Sequence, residues 1–463
     1  MKRNVKFTYL TLFILLLVSS CQVTKDYQGL QINQNNLFRD TVISDTNSMA
    51  ALHWKAFFKD KSLQGLIDTA LGSNLDLKIL LERVVQAQTA FKQSKLASLP
   101  DLNADLSIRQ SRLAFPQGFG LIKNSTQYDL ALQASWEPDI WGKLSSAKKA
   151  SLAQLLQTEA AKRAVQSQLI AEIAFHYYSL IALDEQLEVL KKTVINRKDD
   201  VNTMKTLKAS AIVNGAAVVQ SEANLHTVEV SIPDVVKRIR ETENILSFLI
   251  GKPAGFIQRS KHINDQAFDQ VVIGLPASLL RFRPDVQEAE LAFRQSFELT
   301  NVARTAFYPN FRITGAAGFS SLDFSNWFNP ESFFANILGG LTQPIFNKGV
   351  NKAKLQIAES QQQQAFYQFQ KIVLQSGKEV SDALFALETS KAKELSRGKQ
   401  LDALHKAVEF TKELLKYSES TNYIDVLTSE QNLLNAELGS VNDQLEQCLA
   451  MIALYKATGG GSY

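Results

Sequence analysis

The sequence predicts an α+β membrane protein in which long helices form a coiled-coil barrel and paired strands form a transmembrane β-barrel. Three observations lead there. Lys143 to Asn214 contains neither Gly nor Pro, so nothing in it obliges a helix to stop. Two stretches of period-two hydrophobicity, each about ten to twelve residues long, have the length of a tilted strand crossing a bilayer. Finally, the order of these elements occurs twice. Asn214, Glu222, Asn224 and Leu225 align with Asn422, Glu430, Asn432 and Leu433 at a constant offset of 208, the signature of an internal repeat.

The long run sets the scale. Its apolar positions step by three and four through Leu169, Ile173, His176, Leu180, Leu183, Leu187, Leu190 and Val194, then Val201 and Met204. A 3.5-residue average is a coiled-coil seam. At ~1.5 Å per residue the helix reaches roughly 100 Å. Lys148, Lys149, Lys162, Arg163, Lys191, Lys192, Arg197, Lys198, Asp199 and Asp200 make it too charged for lipid, so it spans an aqueous space. Tyr177, Tyr178 and Ile181 lie off the main stripe, as expected for a helix with two neighbours. His176 falls on the seam and is read as a packing residue.

The chain opens on a secretory signal over 1–20. Lys2, Arg3 and Lys6 form its charged region and Tyr9 to Val18 its apolar stretch, too short for an ordinary span. Val18-Ser19-Ser20-Cys21 resembles a bacterial lipobox. Lipoproteins of that kind carry a diacylglycerol and an N-acyl lipid on the cysteine, and chains of this sort add about 0.8 kcal/mol per buried CH₂. Gln22, rather than Asp, favours sorting to the outer membrane. Only Cys448 remains, so no internal disulfide supports the fold. The net charge of +4 loses three units with the signal, and no basic patch with interleaved aromatics speaks for nucleic acid.

The mature chain is then read in order. Residues 21–73 form a lipidated polar arm followed by a denser segment with Trp54, Phe57, Phe58, Leu63, Leu66 and Ile67. The first repeat spans 74–255. It comprises a helix capped by Asn74, a β-hairpin over 101–137, the long helix 143–214 and a return helix 216–250, which Pro233 is expected to kink or split. Residues 256–283 form a connector. The second repeat, 284–458, has a helix from Pro284, a hairpin over 311–343, a long helix over 350–418 and a return helix over 422–457. Residues 459–463 are a tail. In the first hairpin Tyr128, Leu130, Leu132, Ala134 and Trp136 alternate with Gln127, Asp129, Ala131, Gln133 and Ser135. In the second, Phe311, Ile313, Gly315, Ala317 and Phe319 alternate with Arg312, Thr314 and Ala316. A Ser-, Asn- and Asp-rich loop follows, and then a strand of poorer alternation.

Strands with lipid-compatible faces cannot leave edges unpaired in a bilayer. Four strands are too few to close. Eight, from a dimer, give a barrel filled by its own side chains, whereas twelve from a trimer leave an aqueous lumen.

Several stretches carry a resemblance over nearly the whole mature chain: Trp54 to Leu77, Ser135 to Lys143 (SWEPDIWGK), Phe248 to Pro253 (FLIGKP), Leu280 to Glu290 (LRFRPDVQEAE), Ala303 to Gly318 (ARTAFYPNFRITGAAG) and Gln343 to Gly349 (QPIFNKG). The chain resembles the TolC-like outer-membrane efflux family, in the lipoprotein branch that serves RND-type pumps. The resemblance implies a homotrimer with one 12-stranded barrel in the bacterial outer membrane and an α-barrel in the periplasm. It implies a periplasmic adaptor (a membrane fusion protein) and an inner-membrane RND transporter as partners, and a conduit that does no chemistry. The family's pore constriction maps onto Ile424, Asp425 and Thr428. Three copies of Asp425 would make an acidic ring favouring cations; the competing role is capping of the last helix, where its dipole favours an acid. Many members have a second acid at the position of Thr428, and Gly near Glu419 or Ser420 and just before the first inter-helix turn, which this chain lacks.

Catalysis finds no support. His53, His176, His226, His262 and His405 form no ligand spacing, and no cofactor or metal site is expected. Three alternatives stand beside the duct. An adaptor would carry one helical hairpin and end in strands. A structural coiled-coil lipoprotein would lack the bilayer-length strand pairs. A type I secretion duct for polypeptides stays within the family, and the lipobox and Arg283-Pro284-Asp285 favour the RND branch over it.

Overall fold

The computed structural model describes residues 23–30, 37, 53–112, 114, 124–263, 283–417 and 423–460. The signal peptide, Cys21, most of the arm, much of the connector and the second inter-helix turn at 418–422 lie outside the described residues.

Helices α1 (Trp54–Phe57), α2 (Lys61–Ser73) and α3 (Leu75–Leu96) precede strands β1 (Asp101–Arg112) and β2 (Asn124–Trp136). Helices α4 (Lys143–Ala209) and α5 (Gly215–Leu249) complete the first series. The second series is α6 (Pro284–Thr305), β3 (Asn310–Ser321), β4 (Phe333–Thr342), α7 (Val350–Tyr417) and α8 (Tyr423–Ala457). The same order of helix, two strands, long helix and return helix therefore appears twice. The described residues form two compact units, those within 1–31, 83–158 and 289–369 in the first and those within 32–82, 159–288 and 370–463 in the second.

The first unit contains one antiparallel sheet in the order β1-β2-β3-β4. Its register follows from the alternation. Ile108 pairs Tyr128, which pairs Ser321; Leu106 pairs Leu130, which pairs Phe319, which pairs Phe333. One face therefore carries Leu102, Leu106, Ile108, Tyr128, Leu130, Leu132, Phe319 and Ile337. The other carries Asn103, Asp105, Gln127, Asp129 and Gln133, where the Ser320 hydroxyl donates to Asp129 Oδ1 (2.6 Å) and Gln127 Nε2 donates to both Asp129 (3.0 Å) and Ser320 (3.2 Å). Gly318 has a backbone reason: a Cβ there would fall onto the Leu130 carbonyl oxygen of the paired strand.

The recurring motifs acquire local causes. In SWEPDIWGK, both carboxylate oxygens of Asp139 accept from the first turn of α4 (Leu144 N–H 2.8 Å, Ser145 N–H 2.7 Å), and Trp141 Nε1 donates to the Pro309 carbonyl (2.7 Å). The arm is docked here too. Lys25 and Asn301 exchange two hydrogen bonds (3.0 and 2.8 Å), and the Tyr27 ring packs on Phe293 and Phe297.

The core of the second unit gathers Trp54, Phe57, Phe58, Leu63 and Ile67 against Ile173, Tyr177, Tyr178, Leu180, Ile181, Leu246, Leu454 and Tyr455. Tyr177, Tyr178 and Ile181 are fully buried, whereas His176 is only half-buried, with burial holding its imidazole below the usual histidine range. Asp60 caps α2 through the Ser62 and Leu63 N–H groups and accepts from the Tyr177 hydroxyl at 2.5 Å. Asn74 accepts from Leu77 N–H (3.0 Å) and donates to Leu249 O (2.9 Å). FLIGKP is a helix stop: Gly251 takes φ +67°, Lys252 N–H donates to Ser247 O and Gly251 N–H to Phe248 O, both 2.9 Å, the pattern that closes a helix with a left-handed residue. A Cβ on Gly251 would also lie 2.7 Å from Ser73 O. Arg283 of Arg-Pro-Asp pairs with Asp285 (2.6 Å) and Glu379 (2.7 Å) and donates to Ala457 O (3.0 Å).

Three expectations are corrected. The first long helix ends at Ala209, not Asn214. Ala211 adopts φ +57°, Ile212 N–H donates to Leu207 O (2.9 Å) and Ala211 N–H to Lys208 O (3.0 Å). This is the same left-handed stop, made without glycine. The return helix starts one residue earlier than expected, at Gly215, with Asn214 accepting from Ala217 N–H (3.1 Å). It is not split: α5 runs unbroken through Pro233. Pro233 is exposed while Val228 and Val235 on either side are buried, so packing holds the helix together across the missing N–H.

The candidate gate at the start of the last helix

Helix α8 begins at Tyr423, and its first two turns have two unlike faces. Tyr423, Val426 and Glu430 are buried; Ile424, Asp425 and Thr428 are exposed. The three constriction candidates share one face, at positions i, i+1 and i+4. Asp425 is the third residue of the helix, so it sits in the first turn rather than at the cap, where the dipole still favours an acid. The Thr428 hydroxyl donates back to Ile424 O and Ser429 to Asp425 O, both 2.8 Å. These bonds keep the hydroxyls on their own helix.

The buried face is held in two ways. Tyr423 and Val426 pack with Met204 of α4 and Val218 of α5, supported by Leu207, Val213 and Leu415. One turn further on, Glu430 enters a polar cluster. Arg197 of α4 donates from Nη1 to its Oε2, and Lys412 of α7 lies 2.5 Å from its Oε1. Lys412 also contacts Asp200 of α4 at 3.1 Å. The Arg197 side chain is 3% exposed and that of Lys412 37%, so the guanidinium depends on this carboxylate while the ammonium keeps access to water. Burial and the neighbouring charge of Asp200 push Glu430 above the usual carboxylate range, against the pull of Lys412 and Arg197. Burial likewise raises the Tyr423 phenol. Burial opposes the charge of Lys412, but its hydrogen bond to Glu430 prevails and holds it above the usual lysine value.

The sequence comparison found Glu430 as a repeat match to Glu222, but the two residues behave differently. Glu222 pairs with Lys205 on an exposed surface at 2.9 Å. Glu430 ties α8 to α4 and α7 instead. No spacing signals that link, because Arg197 lies 233 positions away. Among the described residues no group of three His, Cys, Asp or Glu is arranged to hold a metal, and no helix is long and apolar enough to cross a membrane.

Residues 66–252 and 275–460 match the profile of the outer membrane efflux protein family. The chain belongs to that family. Among curated relatives, this efflux protein is 29% identical over 467 residues to the solvent efflux pump outer membrane protein SrpC of Pseudomonas putida, with 98% of both chains covered. It is 26% identical over 460 residues to the cation efflux system protein CusC of Escherichia coli K12, covering 97% of this chain and 98% of that one. It is 28% identical over 432 residues to the probable outer membrane lipoprotein SilC of Salmonella typhimurium, covering 92% of each. A solved structure of CusC superposes with a TM-score of 0.86 at 26% identity, over 95% of this chain and all of the other. The efflux protein is thus an outer-membrane channel of the TolC-like kind, with four strands among its described residues.

Proposed function

We propose that this efflux protein is the exit duct of a tripartite RND-type system, a homotrimer that passes small toxic molecules from periplasm to exterior and does no chemistry itself. The observation that carries the reading is the four-stranded sheet, apolar on one face and polar on the other, whose end strands β1 and β4 each pair on one side only among the described residues. Such edges cannot stand in hydrocarbon. Three copies close twelve strands around a lumen lined by Asp105, Asp129 and Gln133, with Leu106, Leu132 and Ile337 toward lipid. An adaptor and an inner-membrane pump supply substrate and energy. Cys21 carries the diacylglycerol and N-acyl chains, a reading supported by the lipobox-like Val18-Ser19-Ser20-Cys21 and by the description of SilC as a probable lipoprotein. The relatives' names span solvents and cations, so cargo is set by the pump rather than by the duct.

Ile424, Asp425 and Thr428 form the periplasmic constriction, supported by their shared exposed face at the start of α8. Three Asp425 carboxylates around a narrow pore favour cations. Single-channel recording of the native protein and Asp425→Ala tests this: a small cation-selective conductance is expected, with selectivity lost in the variant. A conducting channel whose selectivity survives the substitution would reduce Asp425 to a helix-dipole partner. Silence that persists after Ile424 and Thr428 are truncated would remove the duct.

A further inference from the structure

The loop between β3 and β4 reads in sequence as a polar connection, yet it contains Leu322, Phe324, Trp327 and Phe328. Its rings do not turn away from the sheet. Phe324 and Trp327 pack on Tyr128 (centroids 5.4 and 5.5 Å), Phe328 packs on Phe319 (5.7 Å), and Trp327 stacks on Phe328 (4.9 Å). Trp327 Nε1 donates to Phe319 O (3.3 Å), and the loop is stiffened by Asp323 accepting from Ser325 N–H and by Ser332 donating to Asn326 O. Tyr128 and Phe319 belong to the apolar face of the sheet, opposite the Asp129–Ser320–Gln127 cluster. The loop is therefore folded back over the apolar side, not over the polar side that would line a pore. Trp327 is buried beneath it, while Phe324 and Phe328 stay 64% and 60% exposed.

We infer that this loop is a membrane anchor: its exposed rings enter the acyl–headgroup boundary of the outer leaflet and continue the lipid-facing surface of the strands. This rests on the proposed barrel, in which the hairpin loops lie at the outer end. The dimensions agree. From Phe311 to Phe319 the apolar positions of β3 cover eight steps, about 27 Å along the strand and about 21 Å of membrane normal at a ~40° tilt, against an apolar band of about 25 Å in outer-membrane barrels. The loop supplies the missing tier. The rings that would enter it are those of Phe324 and Phe328, held in place by the buried Trp327, whose N–H is already satisfied by Phe319 O, and exposed aromatic rings at that depth suit the interfacial belt. A consequence is that this loop leaves the pore exit uncovered.

Nitroxide labels test the placement in the full-length protein reconstituted into phospholipid vesicles, with Cys448→Ala as background. Labels are introduced by Phe324→Cys and Phe328→Cys in the loop, Leu106→Cys on the apolar strand face and Asp105→Cys on the polar face. Accessibility to molecular oxygen, which partitions into lipid, is compared with accessibility to an aqueous nickel chelate. Oxygen should dominate at 324, 328 and 106, and nickel at 105. Nickel dominance at both loop sites with oxygen dominance at 106 would overturn the anchor while leaving the barrel intact. Nickel dominance at 106 as well would remove the barrel assignment and the anchor with it. Two loop sites are used so that a fold lost in one variant does not decide the result.

Discussion

Removing the Glu430 carboxylate should hurt far more than removing the Arg197 guanidinium, although the two form one ion pair. Glu430→Leu strands Arg197, whose side chain is 3% exposed and whose hydrogen-bond partner was that carboxylate. Breaking a buried pair so that one charge is left uncompensated costs about 3–5 kcal/mol. Arg197→Met leaves Glu430 with Lys412 at 2.5 Å, and that lysine also reaches Asp200 and solvent. The remaining pair is partly screened, so the loss is nearer ~1–2 kcal/mol. In the double variant Lys412 keeps Asp200 at 3.1 Å and the two apolar side chains fill the vacated space, a replacement that is often neutral. The readout is amide hydrogen exchange over Val426 to Leu434, which reports local opening of α8 rather than global unfolding. At ~1.4 kcal/mol per tenfold, exchange should accelerate about 100- to 4,000-fold in Glu430→Leu and roughly tenfold in Arg197→Met, and return toward native in the double variant. Equal effects of the single substitutions, or effects that simply add in the double, would refute the reasoning. Because Ile424, Asp425 and Thr428 ride on the same turns, the leading variant should also raise the open probability of the channel.

Other outcomes follow from individual positions. Ala211→Gly should stabilise the first inter-helix turn by about 1 kcal/mol, since an alanine at φ +57° carries a left-handed penalty that glycine avoids; slower exchange over 207–214 would show it. Gly318→Ala should abolish barrel assembly, because the added Cβ meets the Leu130 carbonyl of the neighbouring strand; a variant that still inserts into vesicles with native conductance would contradict the register. In alkali, Tyr177 should ionise late. Burial and its bond to Asp60 push it up to about 12, above the ordinary phenol value of ~10. The folded state holds that proton more tightly than the unfolded chain, so its contribution is complete below pH ~10 and is lost as pH rises toward about 12. Ultraviolet tyrosinate titration beside circular dichroism should show part of the phenolate signal appearing only with unfolding.

The sequence was most legible where one periodicity ran without interruption. A stretch free of Gly and Pro announced α4, and strict alternation announced β1 and β2. β4 read less clearly because Phe334 and Leu338 stand on its polar face and Gly339-Gly340 interrupt the pattern. The end of α4 was misjudged for a concrete reason: the left-handed residue that stops it is Ala211, and nothing in an alanine advertises that conformation. Pro233 does not split α5, since buried valines on both sides outweigh one absent hydrogen bond. The candidate gate positions Ile424, Asp425 and Thr428 came from the family resemblance alone, and it is the structure that puts them on one exposed face of α8. The support of that face was not legible either, because Arg197, Lys412 and Glu430 meet only through tertiary packing. The aromatic loop was hidden by the Ser, Asn and Asp residues around it, which describe its backbone turns but not where its rings lie.

The open edges of β1 and β4 bear on how the molecule reaches its membrane. In the proposed homotrimer, a single chain arrives with two rows of backbone donors and acceptors that its neighbours are to satisfy, and hydrocarbon does not tolerate them unpaired. On that proposal insertion and self-association are one event, and the strand region is expected to have no stable folded state below the concentration at which copies meet. Synthesis rate becomes a control on channel number steeper than linear. A chain produced too sparsely waits in the aqueous compartment with the same edges offered to any strand it encounters, which is the condition for aggregation. A tether that holds newly exported chains on the membrane surface, confining them to two dimensions, shortens that wait without adding a single contact to the finished barrel.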